Sequence, residues 1–198
     1  MTSAVTSDET LMLQFQRGSR PALDELFSRY RQPLFGFFRR RLEFKYRAED
    51  LTQETFLVVM RSAERYEPRS LVRTYLYGVA LKLLSAERRK HFRGAAIEFF
   101  SEPLTVENPD AAMWVRQALG RLDAQEREIL MLREYEQLSY AEIADLLQIP
   151  VNTVRSKLFR SRLALRNQLE PQPKPVHYVE SSIAPTPTAL PAKSEARK

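Results

Sequence analysis

An all-α fold is what this sequence predicts: two small helical domains joined by a flexible linker, the C-terminal one with a helix-turn-helix. Three observations lead there. Glycine is scarce, at five of 198 residues, and strand-like alternation is rare. Apolar residues instead recur at helical spacing along most of the chain. That periodicity lapses in SEPLTVENPD (101–110), which mixes prolines with acids, and again beyond residue 170, where six of the twelve prolines lie. The first gap reads as a linker and the second as a disordered tail. The expected organisation is a helical domain at 8–95, a linker at 96–110, a helix-turn-helix domain at 111–170 and a proline-rich tail at 171–198.

The elements follow in order. Residues 8–17 read as a first helix ended by Gly18. Ser19 can cap a second, whose apolar stripe is Leu23, Leu26, Phe27, Tyr30 and Leu34. A third runs from about Ala48 to Ala63 with Leu51, Thr55, Val58 and Val59 inward. Pro68 marks a loop, and a fourth helix spans roughly Ser70 to Lys90 with Leu76, Val79, Ala80, Leu83 and Leu84 on its core side. In the second group, Ser139 and Glu142 fit a capping box ahead of the apolar face Tyr140, Ile143, Ala144 and Leu147. Pro150 disfavours helix at Ile149, so the chain should turn there. It restarts with Val154, Leu158 and Leu165 on one face, small Ser161 between them, and Arg155, Lys157, Arg160, Arg162 and Arg166 on the others. No acid occurs between Asp145 and Glu170. Two short helices around a tight turn, the second basic, form the helix-turn-helix pattern of DNA readers. A solvated basic helix closing a bundle is the ordinary alternative.

Composition narrows the classes. A net charge of +6 and a pI near 9.7 favour a polyanionic partner. The absence of cysteine excludes disulfides, thiolate metal sites and thiol catalysis, and suits a reducing cytoplasm. His91 and His177 have no metal-ligand spacing, so no metal and no cofactor is expected. No apolar run approaches the ~20 residues of a membrane span. The N-terminus has neither a basic start nor a long apolar segment, so no signal peptide is expected. No G-x-S-x-G, phosphate-cradling glycine loop, H-E-x-x-H or Cys/His dyad offers a route to catalysis. A binding protein, not an enzyme, is the expectation.

Two further constellations stand out. In Ala48-Glu49-Asp50-Leu51-Thr52-Gln53-Glu54-Thr55-Phe56, the residues Glu49, Asp50, Gln53 and Glu54 share a polar surface beside an apolar stripe. This is either an acidic docking face in a net basic protein or first-turn acids favoured by the helix dipole. In Tyr75-Leu76-Tyr77 followed by Arg88-Arg89-Lys90-His91-Phe92-Arg93, aromatics and cations on one helix suit single-stranded nucleic acid. Half-buried tyrosines and a solvated basic helix end are the plainer alternative.

In this order, the three constellations resemble the extracytoplasmic-function (ECF) class of bacterial RNA polymerase sigma factors, over about residues 8–169. AEDLTQETF is similar to that family's A-E-D-L-x-Q-E-x-F signature in region 2. YLYGVALKLLSAERRK resembles its region 2 helix for the −10 element, and LDAQEREILMLREYE the region 4 helices ahead of the helix-turn-helix. LSYAEIADLLQIPVNTVRSKLFRSRLAL is similar to the region 4 pattern itself. Tyr75 stands where the family usually has Trp, Lys82 where it has Asn, Ala86 where Asp is frequent, Asn152 where it has Gly, and Gln148 at its usual turn Gly.

The resemblance implies a two-part function. Region 2, within 8–95, would dock on the β′ clamp helices of core RNA polymerase through Glu49, Asp50, Gln53 and Glu54. It would meet −10 DNA through Tyr66, Arg69, Ser70, Tyr75, Lys82, Arg88 and Arg89, taking a base from the duplex in the Tyr66–Ser70 loop. Region 4, within 111–170, would lay its second helix in the major groove of the −35 element through Asn152, Thr153, Arg155, Ser156, Lys157, Phe159 and Arg160. Implied partners are core polymerase (β′ clamp helices and β flap), promoter DNA and an anti-sigma factor, with no membrane. The implied location is cytoplasmic, nucleoid-associated in the holoenzyme. The rival reading is a free-standing helix-turn-helix regulator that binds DNA without polymerase. It needs a symmetric dimer and leaves AEDLTQETF without a role.

Overall fold

A computed structural model describes residues 6–68, 71–91 and 109–169. Among these there is no strand, and eight α-helices carry the fold. Helices α1 (Asp8–Gln16), α2 (Arg20–Arg39), α3 (Lys45–Ser62) and α4 (Val72–His91) form the first half, with a 3-10 turn at Ala63–Arg65. Helices α5 (Pro109–Gly120), α6 (Ala124–Glu134), α7 (Tyr140–Leu147) and α8 (Val151–Leu169) form the second.

Local chemistry sets the ends. Ser7 caps α1 through Thr10 N–H, and Gly18 turns the chain at φ +93°, a backbone that L side chains resist. Ser19 takes the N-cap position of α2 without a side-chain cap bond; Pro21 in the first turn removes one donor that would need one. Helix α3 starts at Lys45, three residues before the expected Ala48. Arg39 ties off the preceding loop by donating to Leu42 and Glu43 carbonyls, so the next helix can begin at once. Pro109 opens α5 inside the stretch read as linker, because proline's fixed φ and missing N–H fit a first turn. The rest of that linker and the proline-rich tail lie outside the described residues.

The periodic stripes point inward as expected. Leu26, Tyr30, Leu34, Phe37 and Phe38 of α2 meet Leu51, Phe56 and Val59 of α3 and Leu76, Ala80 and Leu84 of α4. Leu23, Phe27, Val58 and Leu83 are only half-buried. The two threonines of AEDLTQETF are buried with them, because their hydroxyls donate to Ala48 and Leu51 carbonyls one turn back, at 2.6 and 2.7 Å. Ile129 and Leu132 of α6, Ile143 of α7 and Val154 and Leu158 of α8 extend the same apolar cluster into the second half. No helix of the described residues is long and apolar enough to cross a membrane.

The two halves meet through α4 against α7 and through Arg40 and Arg41, just past the end of α2, which reach Glu136 and Glu128. Arg41, with no side-chain exposure, donates to Glu128 and Glu136 at 3.0 Å each, and its guanidinium lies 3.9 Å from the Phe37 ring centre. Burial opposes its charge, and the two carboxylates outweigh burial and keep it protonated. Arg40 adds a two-oxygen contact to Glu136, and Arg73 one to Glu142.

The Ser139 cap gives a stability test. Its hydroxyl accepts from Glu142 N–H at 3.2 Å while the Glu142 carboxylate accepts from Ser139 N–H at 2.8 Å. Ser139→Ala is expected to cost about 1 kcal/mol, read as a lowered urea midpoint at unchanged slope.

Candidate docking and nucleic-acid interfaces

Helix α3 turns one face inward through Leu51, Thr55 and Val59 and thereby turns Glu49, Asp50, Gln53 and Glu54 outward, all exposed. Asp50 is steadied by Arg47 at 3.0 Å, whose other bonds grip Glu87 of α4 at 2.7 and 2.8 Å. Leu57 and Met60, 46% and 47% exposed, continue the line one and two turns beyond Gln53. At the acidic end a groove of about 490 Å³ runs between α2 and α3, lined by Phe27, Arg31, Phe35, Glu49 and Gln53. The face is acidic at one end and apolar at the other. Sequence reading missed the apolar end, although Leu57 and Met60 already fall off the inward stripe.

The candidate −10 residues divide. Lys82 and Arg89 are exposed on α4. Arg88 is half-buried, and burial draws its guanidinium below its ordinary range. Tyr75 is half-buried: its hydroxyl lies 2.7 Å from Ser62 Oγ and its ring 5.3 Å from that of buried Tyr66. Gln16 donates to the Ala63 and Tyr66 carbonyls at 2.6 and 2.7 Å and fixes the chain entering the loop. Arg69 and Ser70 lie outside the described residues. Tyr77, singled out beside Tyr75, is buried, with its hydroxyl toward Glu136 and its ionisation pushed up by that burial.

The helix-turn-helix is α7 and α8. Gln148 ends α7 in the left-handed region at φ 54°, and the Ile149 N–H reaches back to the Ala144 carbonyl at 3.1 Å. Val154, Leu158 and Ser161 of α8 are buried against α6, with Leu165 half-buried. Ser161 is small enough for close approach and donates to the Lys157 carbonyl at 2.7 Å. That packing turns Asn152, Arg155, Ser156, Phe159 and Arg160 to the outside, with Thr153 and Lys157 half-buried at its edge. Phe159 is 69% exposed, a large apolar ring set among cations. Arg160 reaches Glu126 at 3.2 Å and Arg162 reaches Glu134 at 2.6 Å. No ion pair engages Arg155 or Lys157 among the described residues. An outward row of helix N-terminal polar groups and cations, one aromatic among them, can contact base edges and phosphates.

Known proteins share these parts. The sigma-70 region 2 family model matches residues 26–93, and the sigma-70 region 4 model matches 112–165. The chain is 32% identical over 182 residues to the RNA polymerase sigma-H factor of Pseudomonas aeruginosa, covering 83% of this chain and 94% of that one. It is 30% identical over 186 residues to the ECF RNA polymerase sigma-E factor of Escherichia coli, covering 83% and 95%. Among solved structures, the fold is similar to that of CnrH in complex with the cytosolic domain of CnrY, with a TM-score of 0.66 at 23% identity over 83% of this chain and 97% of that one. It is also similar to the sigma factor RpoE in complex with the anti-sigma factor NepR from Bartonella quintana, with a TM-score of 0.64 at 22% identity over 74% and 95%.

Proposed function

The chain belongs to the ECF family of RNA polymerase sigma factors, and from that premise we propose how its surfaces divide the work. A sigma factor binds core RNA polymerase and directs it to promoters, and the family is not one of catalytic enzymes. The polymerase makes every phosphodiester bond. The exposed α3 face of Glu49, Asp50, Gln53 and Glu54, with Leu57 and Met60 beyond it, docks on the polymerase clamp. Lys82 and Arg89, with the residues from Tyr66 to Ser70, meet the −10 element. Helix α8 meets the −35 element through Asn152, Arg155, Ser156, Phe159 and Arg160, and Lys157 contacts phosphate. The protein works where polymerase and promoter DNA are, in the bacterial cytoplasm and, as holoenzyme, on the nucleoid. An anti-sigma factor is a further partner, by analogy with the similar sigma factor solved with one.

A single observation supports this division above the rival of a free-standing regulator. The chain carries two separate outward faces of opposite character, acidic on α3 and basic on α8. A regulator acting on DNA alone needs only the second. The discriminating experiment is a mobility shift on promoter DNA with and without core polymerase. A specific shift that requires core supports the sigma reading; a specific shift by the chain alone, to a symmetric site, supports the rival.

A further inference from the structure

We propose that the paired rings of Phe44 and Tyr46, at the start of α3, are the principal apolar anchor for core RNA polymerase, and that the acids beyond them steer and orient the encounter. The proposal rests on the sigma reading above and extends its α3 face by two residues outside the AEDLTQETF signature. Phe44 and Tyr46 are 48% and 58% exposed, and their rings stack with centres 5.5 Å apart and planes 27° from parallel. Neither ring is part of the apolar core. Two large rings held together in water mark an interaction surface, not a scattered apolar residue.

The local sequence gives up helix-start stability to place them there. Phe44 occupies the N-cap position of α3 and makes no side-chain cap bond, where Ser, Thr, Asp or Asn would satisfy a free N–H. The first turn holds no acid but carries Lys45 and Arg47, against the positive end of the helix dipole. Bonds from elsewhere compensate. Arg39 donates to the Leu42 and Glu43 carbonyls at 3.2 and 3.3 Å, and Arg47 grips Glu87 of α4 at 2.7 and 2.8 Å. The rings therefore stand on a backbone fixed from both sides. A position where local preference is overruled with no gain to the core is where a functional contact is expected.

Position says what covers the rings. Tyr46, Asp50, Gln53, Leu57 and Met60 follow one another at alternating offsets of four and three, so they form one row along the outside of α3. At 1.5 Å per residue the row is about 21 Å long. All five are exposed, Tyr46 at 58%, Leu57 at 46% and Met60 at 47%. Glu49, Asp50 and Glu54 thus lie between two apolar ends, and a partner that spans the acids meets both. Lys45 lines the α2–α3 groove with Phe27 and Phe35, which joins the ring pair to that groove. Nucleic acid fits the rings less well, because the exposed acids Glu43, Glu49 and Asp50 flank them and Lys45 lies 3.9 Å from Glu49. A protein surface that offers cations beside an apolar pocket fits both features. Tyrosine is over-represented among the residues that dominate such interfaces, while exposed charges set on-rate and salt dependence. A pair already stacked loses little freedom on binding.

The test measures affinity of the full chain for core RNA polymerase at about 0.1 M and about 0.5 M salt. Tyr46→Ala should weaken binding at least about thirtyfold at both, and Tyr46→Phe should stay within about threefold of the unmodified chain. Asp50→Asn should lose affinity mainly at the lower salt. Phe44→Ser should raise the thermal midpoint, because serine can cap α3, and yet lower core affinity at least about tenfold. A purely structural role for the pair cannot give that combination. Holoenzyme assembled with saturating Tyr46→Ala chain should bind a promoter as the unmodified holoenzyme does. Full core affinity of Tyr46→Ala or of Phe44→Ser would overturn the proposal. So would a Tyr46→Ala loss that disappears at the higher salt, or a promoter defect with core affinity intact, which would place the rings on DNA. Failure of the unmodified chain to bind core polymerase would instead remove the sigma reading itself.

Discussion

Replacing Asp50 and Glu54 with arginine should abolish binding to core RNA polymerase while the helical circular dichroism spectrum stays unchanged. Both side chains are exposed on α3, away from the Leu51, Thr55 and Val59 face that holds the helix in place. Asp50 has one partner, Arg47, which keeps its two bonds to Glu87 when Asp50 is lost. The fold cost should therefore stay within about 0.5 kcal/mol. The binding cost is of another order: two charges reverse on one face, and like-charge juxtaposition across an interface costs several kcal/mol. Fluorescence anisotropy of labelled chain against core polymerase reads this directly. Undiminished binding would mean that polymerase docks elsewhere and that these acids serve only the helix.

The second large effect is expected on α8. Arg155→Ala should cost ~1–3 kcal/mol at a promoter with an intact −35 element and little at one where that element is scrambled. Arg155 is exposed and has no ion pair among the described residues, so it is free for a base edge. Arg160 must leave Glu126, 3.2 Å away, to do the same. Arg160→Ala should therefore discriminate in the same sense with a smaller loss. Lys157→Ala should weaken both promoters alike and reduce the salt slope by about one. Arg162, at 2.6 Å from Glu134, should change the slope less than Lys157. The measurement is holoenzyme binding to the paired promoters across a salt series. Equal losses at both promoters for Arg155→Ala and Arg160→Ala would make α8 an electrostatic clamp without sequence reading.

What the sequence made legible follows from range. The capping box at Ser139, the turn before Pro150 and the inward stripes of α2, α3, α4 and α8 depend on residues within a few positions of each other. Each leaves a period or a short signature. The contact between the halves leaves neither. Arg41 and Glu136 are 95 residues apart, and on paper both look like ordinary solvated charges. The run Arg39-Arg40-Arg41 at the end of an apolar stripe was the available hint. Burial of tyrosines was equally hard to read: Tyr66 and Tyr77 are core residues, Tyr75 is half-exposed, and the same ring can pack or stack on a base. Candidate sites on exposed helical faces were visible because the buried face of the same helix was. Leu57, Met60 and Phe159 show this from the other side, as apolar residues that fall where the core stripe does not.

Core-dependent transcription from a promoter library tests the central claim most directly. The full chain is incubated with core RNA polymerase and a randomised library, and the 5′ ends of the transcripts are sequenced. The expected result is initiation at discrete sites that share two upstream motifs at fixed spacing. Those transcripts should be absent without the chain and absent with the Asp50→Arg, Glu54→Arg variant. Initiation that is the same with and without the chain, or specific DNA binding that needs no polymerase, would contradict it.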